Sequence, residues 1–180
     1  MKSEQINRHF QQLKQQRDTF YKDKGINFEE PWRRPMPDKW SIGESLYHLL
    51  LMVRLFRRFS TIYIPVMMPL AYLRRNKPYK IETHDIYQDY QKKKKKSMNA
   101  PLLIKPPEGL ANKWSFEETK ELLGRETDKL MGNLNTIKQD VAGQIYYPDP
   151  IADYPNLVQC VHLLAIHEQH HFNIMGKINK

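Results

Sequence analysis

The stretch Trp40-Ser41-Ile42-Gly43-Glu44-Ser45-Leu46-Tyr47-His48-Leu49 decides the fold. Ser41 and Glu44 have the S-x-x-E spacing of a capping box, in which the serine hydroxyl accepts from the backbone N–H of Glu44 and the Glu44 carboxylate reaches back. A helix, segment B, therefore opens here. Leu46, Leu49, Leu50, Val53 and Phe56 form its apolar stripe. The segment is expected to run to about Asn76, with a kink or break near Pro65 and Pro69, where the ring removes a backbone donor. At about 100° per residue, Met52, Leu55 and Phe59 lie within about 40° of His48. His48 is thus expected to face inward with them.

Working outward, three more helical segments emerge. Segment A, residues 3–24, places Ile6, Phe10, Leu13 and Phe20 on one face. Segment C opens at a second capping box, Ser115-Phe116-Glu117-Glu118, carries Phe116, Leu123, Leu130, Leu134 and Ile137, and is expected to end near Gly143. Segment D runs from Asn156 to about Ile178, after the turn residues Tyr147-Pro148-Asp149-Pro150 and Tyr154-Pro155. No strand-like alternation competes. The expected fold is an all-α four-helix bundle, one domain over residues 1–180. Residues 77–113 are a long, basic, proline-containing connection between B and C.

Composition narrows the class. An apolar content of 40% is enough to bury a core. The single cysteine, Cys160, excludes an internal disulfide framework and any multi-cysteine zinc module. The apolar run Thr61–Leu73 is broken by two prolines and is too short to span a bilayer, so no membrane role is expected. The polar N-terminus lacks the apolar region of a secretory signal, and a cytoplasmic protein is expected. Between Arg74 and Lys105 stand ten basic and three acidic residues, so this segment carries +7 of the chain's +9. Its core is the run Lys92–Lys96, read as a solvated loop. Without a recognition-helix pattern or an RNP-type aromatic motif, nucleic acid is not an expected partner.

The histidines carry the chemistry. On segment D, His167 and His171 lie about 40° apart on the apolar stripe with Cys160, Leu164 and Met175. Three imidazoles in one apolar interior leave ring nitrogens unsatisfied, at roughly 1–3 kcal/mol each, unless something binds them. A divalent metal would satisfy His48, His167 and His171 together, and the i, i+4 spacing of the last two presents both to one point. The competing reading is a set of core histidines bonded to backbone carbonyls or tyrosines. His170 falls at the edge of the stripe, His162 points outward, and His9 and His84 belong to no cluster. His48 lies about 10 Å into segment B, and the D pair about 13 Å from the end of D. These depths agree only if B and D run antiparallel, which requires a crossover along the bundle. The connection 77–113 is long enough to make it, so the expected topology is up-down-down-up.

The segment Trp40–Leu49 resembles the W-S-x-x-[EQ]-x-x-x-H-L signature of the DinB-like superfamily, most closely its YfiT-like branch. His167-Glu168-Gln169-His170-His171 resembles the terminal H-x-x-H-H element of that family. The resemblance implies an up-down-down-up four-helix bundle holding zinc or nickel at the positions matched by His48, His167 and His171, and often a homodimer. It also implies metal-dependent transfer of low-molecular-weight thiols such as bacillithiol or mycothiol, or, in the YfiT-like branch, hydrolysis. The lysine run Lys92–Lys96 matches no motif of the family.

Three neutral ligands leave a divalent ion its full charge and an open position, the pattern of a catalytic site. The first expectation is thiol transfer: the metal activates an external thiol, which attacks an electrophilic small molecule. The second is hydrolysis by a metal-bound water, with Glu44 or Glu168 as base. Glu44 reads more simply as a capping residue, and Glu168 as a partner behind a ligand or a surface residue. The third expectation is a non-catalytic or stress-related metal-binding bundle stabilised by the ion. Cys160, about 10 Å from His167 along the helix, reads as a small core residue and not a nucleophile. The basic excess would draw an anionic thiol or substrate to the mouth of the site.

Overall fold

The structure is a computed structural model that describes residues 3–83 and 100–178. Four long helices dominate it: α1 (Glu4–Tyr21), α2 (Ile42–Arg74), α3 (Phe116–Leu134) and, after the one-turn α4 (Gln139–Ala142), α5 (Leu157–Ile178). No strand occurs among the described residues, and an antiparallel bridge, Tyr146 to Asn156, closes the loop before α5.

Local chemistry sets each start. Ser3, Ser41 and Ser115 each accept from a backbone N–H three residues on, and the reciprocal carboxylate of the capping box is present at Glu44 and Glu118. Asn156 caps α5: its side-chain oxygen accepts from the Gln159 backbone N–H, while the Gln159 side-chain Oε1 accepts from the Asn156 backbone N–H. Segment C ends earlier than expected. α3 stops at Leu134, and a turn at Asn135 separates it from α4, so Ile137 packs from a loop. α2 continues helical through Pro65 and Pro69, because both prolines lie on its exposed face.

Side-chain pairs give the direction of every helix. His9 stacks on His162, Arg17 pairs with Glu168 and Phe20 stacks on Phe172, so α1 and α5 run parallel. Ser3 bonds Gln139, Lys14 pairs with Asp128 and the Lys120 ammonium sits over the Tyr21 ring, so α1 and α3 run antiparallel. His48 meets His167 while Ser60 meets Tyr147, ahead of α5, so α2 and α5 are antiparallel. The three relations amount to up-down-down-up, as the histidine depths require. Ile6, Phe10, Leu13, Leu46, Leu50, Leu123, Leu130 and Leu157 fill the core between the helices. From the far end of α2 the crossover returns to the start of that helix. Its last part, with 3-10 turns at Leu102–Ile104 and Leu110–Asn112, packs on α2 and buries Ile104 and Leu110.

Two inward readings are corrected. Leu55 and Phe59, which the helical wheel places beside His48, are each 43% exposed. α2 is 33 residues long and outruns the neighbours that cover its first turns, so one angular face does not stay buried along its length. His9 and His162 do not stand apart: they stack at 4.3 Å with rings 9° from parallel between α1 and α5, and His9 is buried. His84 and the run Lys92–Lys96 lie outside the described residues.

Candidate metal centre

The parallel and antiparallel pairings bring His48 of α2 against His167 and His171 of α5. One ligand nitrogen from each lies within 4.8 Å of the others, and this is the one metal-competent cluster among the described residues. The Nε2 atoms of His48 and His167 are 3.0 Å apart. Two nitrogens bound to one tetrahedral zinc at about 2.0–2.1 Å would lie roughly 3.3 Å apart, so little movement separates this arrangement from a ligand pair. Ring centroids of the three histidines are 4.7–5.1 Å apart.

Each ring is positioned by something different. The Nδ1 of His48 stands 2.6 Å from the carbonyl oxygen of Ile104. With Nδ1–H donating there, Nε2 is left as the lone-pair nitrogen that faces α5. The reading of core histidines bonded to backbone therefore accounts for one nitrogen of His48, and the other meets the His167 ring. Trp40 packs against His48 at 5.0 Å and lies nearly parallel to His171 at 6.3 Å. His170 meets the edge of His171. His48 and His167 are buried and His171 is half-buried, so the cluster opens to solvent on the His171 side.

Electrostatics keep the rings neutral. Burial, then repulsion from His171 and His48, hold His167 well below the usual imidazole range. Burial, then His48 and His170, push His171 down to about 3. Burial lowers His48 too, opposed by its bond to Ile104. Neutral imidazole is the form that ligates a metal.

The two carboxylates considered as bases are engaged elsewhere. Glu44 closes the capping box with Ser41 and takes a bidentate grip from Arg34 at 2.6–3.0 Å. Burial would raise its pKa, but the bonds from Arg34 and Ser41 outweigh this and hold it low. Glu168 is not on the surface. It is 1% exposed, accepts two bonds from Arg17 at 2.7 and 2.8 Å and one from Gln16, and so ties α5 to α1 beside His167. Nothing in the sequence pairs Arg17 with Glu168; the i, i+4 register of Phe20, one turn below Gln16, was the available signal that this face of α1 is buried. Cys160 is buried, its thiol pushed up by burial, with Pro155 O at 3.8 Å.

Among the described residues, the cations of this basic segment do not surround the site. Arg74 and Arg75 are 26 and 27 residues beyond His48, about 40 Å along α2, and Lys77 and Lys80 follow them. Of the described cations in that segment, only Lys105, next to Ile104, is near the cluster.

The sequence model of the DinB superfamily matches residues 12–175. The chain belongs to that superfamily, and its three-histidine cluster, from α2 and α5, lies within the matched residues. No curated protein and no solved structure gives a significant match. No described helix is long and apolar enough to cross a membrane.

Proposed function

We propose that this protein is a metal-dependent enzyme of the YfiT-like kind that transfers a low-molecular-weight thiol, such as bacillithiol, to an electrophilic small molecule. The observation that carries the reading is the pairing of three neutral, converging imidazoles with two carboxylates already held by arginines. A divalent zinc or nickel ion supplies Lewis acidity there, favouring the thiolate form of a thiol that meets it near neutral pH. Hydrolysis asks in addition for a base to take a proton from water, and neither Glu44 nor Glu168 is disposed for that work.

The chain's own residues supply placement. Ile104 fixes the tautomer of His48, so Nε2 is presented to the ion. His167 and His171, one turn apart, present the other two nitrogens. Arg17 and Gln16 lock Glu168 and with it the rotation of α5. Trp40 covers the cluster from one side and leaves the His171 side for thiol and substrate.

Protein purified without chelating resin is expected to hold near one equivalent of metal per chain, and His48→Ala and His171→Ala to lose it. Incubation with a small chloro-arene electrophile and a panel of thiols is expected to give conjugate only with metal and thiol both present. Turnover in water alone would establish the hydrolase instead. Metal binding with no turnover of either kind, alongside a metal-dependent rise in melting temperature, would leave a stabilised, non-catalytic bundle.

A further inference from the structure

A cavity of about 290 Å³ stands beside the start of α2, between the loop that leads into that helix and the last part of the crossover. Trp32, Arg34, Glu44, Glu108, Leu110 and Ala111 line it. Local backbone shapes both walls. Pro31 accepts from the Gly43 N–H, which seats the Trp32 ring against Gly43, and Gly109, at φ 72°, makes the left-handed turn that leaves Glu108 exposed and buries Leu110. Both walls are also tied to His48. Glu44 precedes it by one turn, about 6 Å along α2, and Glu108 follows by four residues the Ile104 whose carbonyl accepts from His48 Nδ1. A ligand with a span on the order of 10 Å therefore reaches from the pocket to the histidine cluster.

Two charges in this pocket have bonding capacity to spare. Glu44 takes the Nε and Nη2 of Arg34 at 2.6–3.0 Å, whereas Nη1 makes only a 3.5 Å contact to the carbonyl of Pro37. Glu108 lies near enough to act on the Arg34 charge, yet among the described residues it has no ion pair of its own. A lone ammonium would occupy Glu108 and leave Nη1 unused. A lone carboxylate would accept from Nη1 but meet the negative charge of Glu108. A group that carries both charges on one carbon satisfies both walls, and Trp32 and Leu110 give its stem an apolar side. From this arrangement we propose that the pocket is a subsite for the α-amino-acid head group of a substrate whose reacting end lies at the histidine cluster. The carboxylate accepts from Arg34, and the ammonium donates to Glu108.

The proposal rests on the thiol-transfer reading of the cluster and narrows its substrates. Selection is by length. The head group of free cysteine lies within about 4 Å of its own sulfur and does not span the gap, whereas a γ-glutamyl thiol, or an electrophile carried on an amino-acid side chain, does. Holding the remote end by two charges brings the reacting atom to the cluster with less freedom left to lose. Glu44 has a use here too, because it orients the Arg34 guanidinium toward the pocket.

An NMR titration of the isotope-labelled full chain, as purified, with L-norvaline reads the subsite without turnover. Norvaline is expected to shift the Gly109 amide and Arg34 Nε signals. N-acetylnorvaline, which lacks the ammonium, and norvaline amide, which lacks the carboxylate, are expected to bind about tenfold more weakly, and Glu108→Gln to weaken norvaline by a similar factor. Glu108 is exposed and unpaired, so this variant keeps the fold. Two arms of a turnover assay then say which substrate carries the head group: γ-glutamylcysteine against mercaptoethanol at fixed acceptor, and chloronitrophenylalanine against chloronitrobenzene at fixed thiol. In one arm the compound with the head group is expected to show a KM lower by about tenfold, an advantage that Glu108→Gln removes. Equal binding of either truncated ligand, tighter binding of malate, shifts confined to His48 and His171, or no preference in both arms would overturn the proposal. Norvaline binding without any turnover supports the subsite and removes the transferase reading, so the two fail separately.

Discussion

His48 divides its two nitrogens between the crossover and the histidine cluster, and this division links the loop to the candidate site. The residue itself was legible in the sequence from its place on one helix face with Met52, Leu55 and Phe59, and it is buried although Leu55 and Phe59, further along that face, are not. Its partner Ile104 was not legible, because a backbone carbonyl leaves no trace in residue type. The same holds for Arg17 and Glu168, 151 positions apart, whose pairing depends on the parallel alignment of α1 and α5. Both side chains are buried, so removing one leaves an uncompensated charge in the interior. Glu168→Gln is expected to destabilise the protein by about 3 kcal/mol in chemical denaturation, whereas Arg17→Met with Glu168→Leu, which removes both charges, loses much less. A similar loss from the single and the double change would show that the pair is not the source.

At the scale of the element, α2 is set by its first turn. Ser41 is fully buried and accepts from the Glu44 N–H, and Trp32 lies flat against Gly43, where an added Cβ would come within 2.5 Å of the ring. The capping box was readable from spacing alone, whereas the need for glycine at 43 became visible only once residues 31–32 were seen to fold back, with Gly43 N–H donating to Pro31 O. Ser41→Ala is expected to cost about 1 kcal/mol through the lost cap. Gly43→Ala is expected to cost about 1–3 kcal/mol by displacing the Trp32 ring. Thermal melts of the two variants check both values, and a Gly43→Ala protein as stable as wild type would mean that Trp32 moves without loss. The wheel failed further along the helix, at Leu55 and Phe59, because periodicity defines a face but not how far neighbouring helices extend to cover it.

For the whole molecule, the buried histidines make folding depend on pH. An unfolded histidine titrates near 6.5, whereas His9, pushed down by burial and by His162, titrates at about 4 and His171 at about 3. Their folded pKa values are depressed, so below pH 6.5 the unfolded chain binds protons that the folded chain refuses. Stability of the metal-free protein is therefore greatest above pH 6.5 and falls as the pH drops toward 4. Melting temperatures across this range are expected to decline steadily, and His9→Phe to flatten part of the decline; a level profile between pH 7 and 5 would contradict the burial of these rings.

Helix starts, the apolar stripes, the three candidate ligands and the need for a crossover all follow from the sequence by itself. Capping geometry and helical periodicity are local, and the depths of His48 and of the His167–His171 pair convert one hypothesis about contact into a topology. Tertiary structure alone decided what holds those ligands and what lies idle. The Ile104 carbonyl, the Arg17–Glu168 tie, the stacked His9 and His162, and the bare stripe of α2 are each fixed by which surfaces meet. That choice is made by packing between segments far apart in the chain, and no local pattern of residues encodes it.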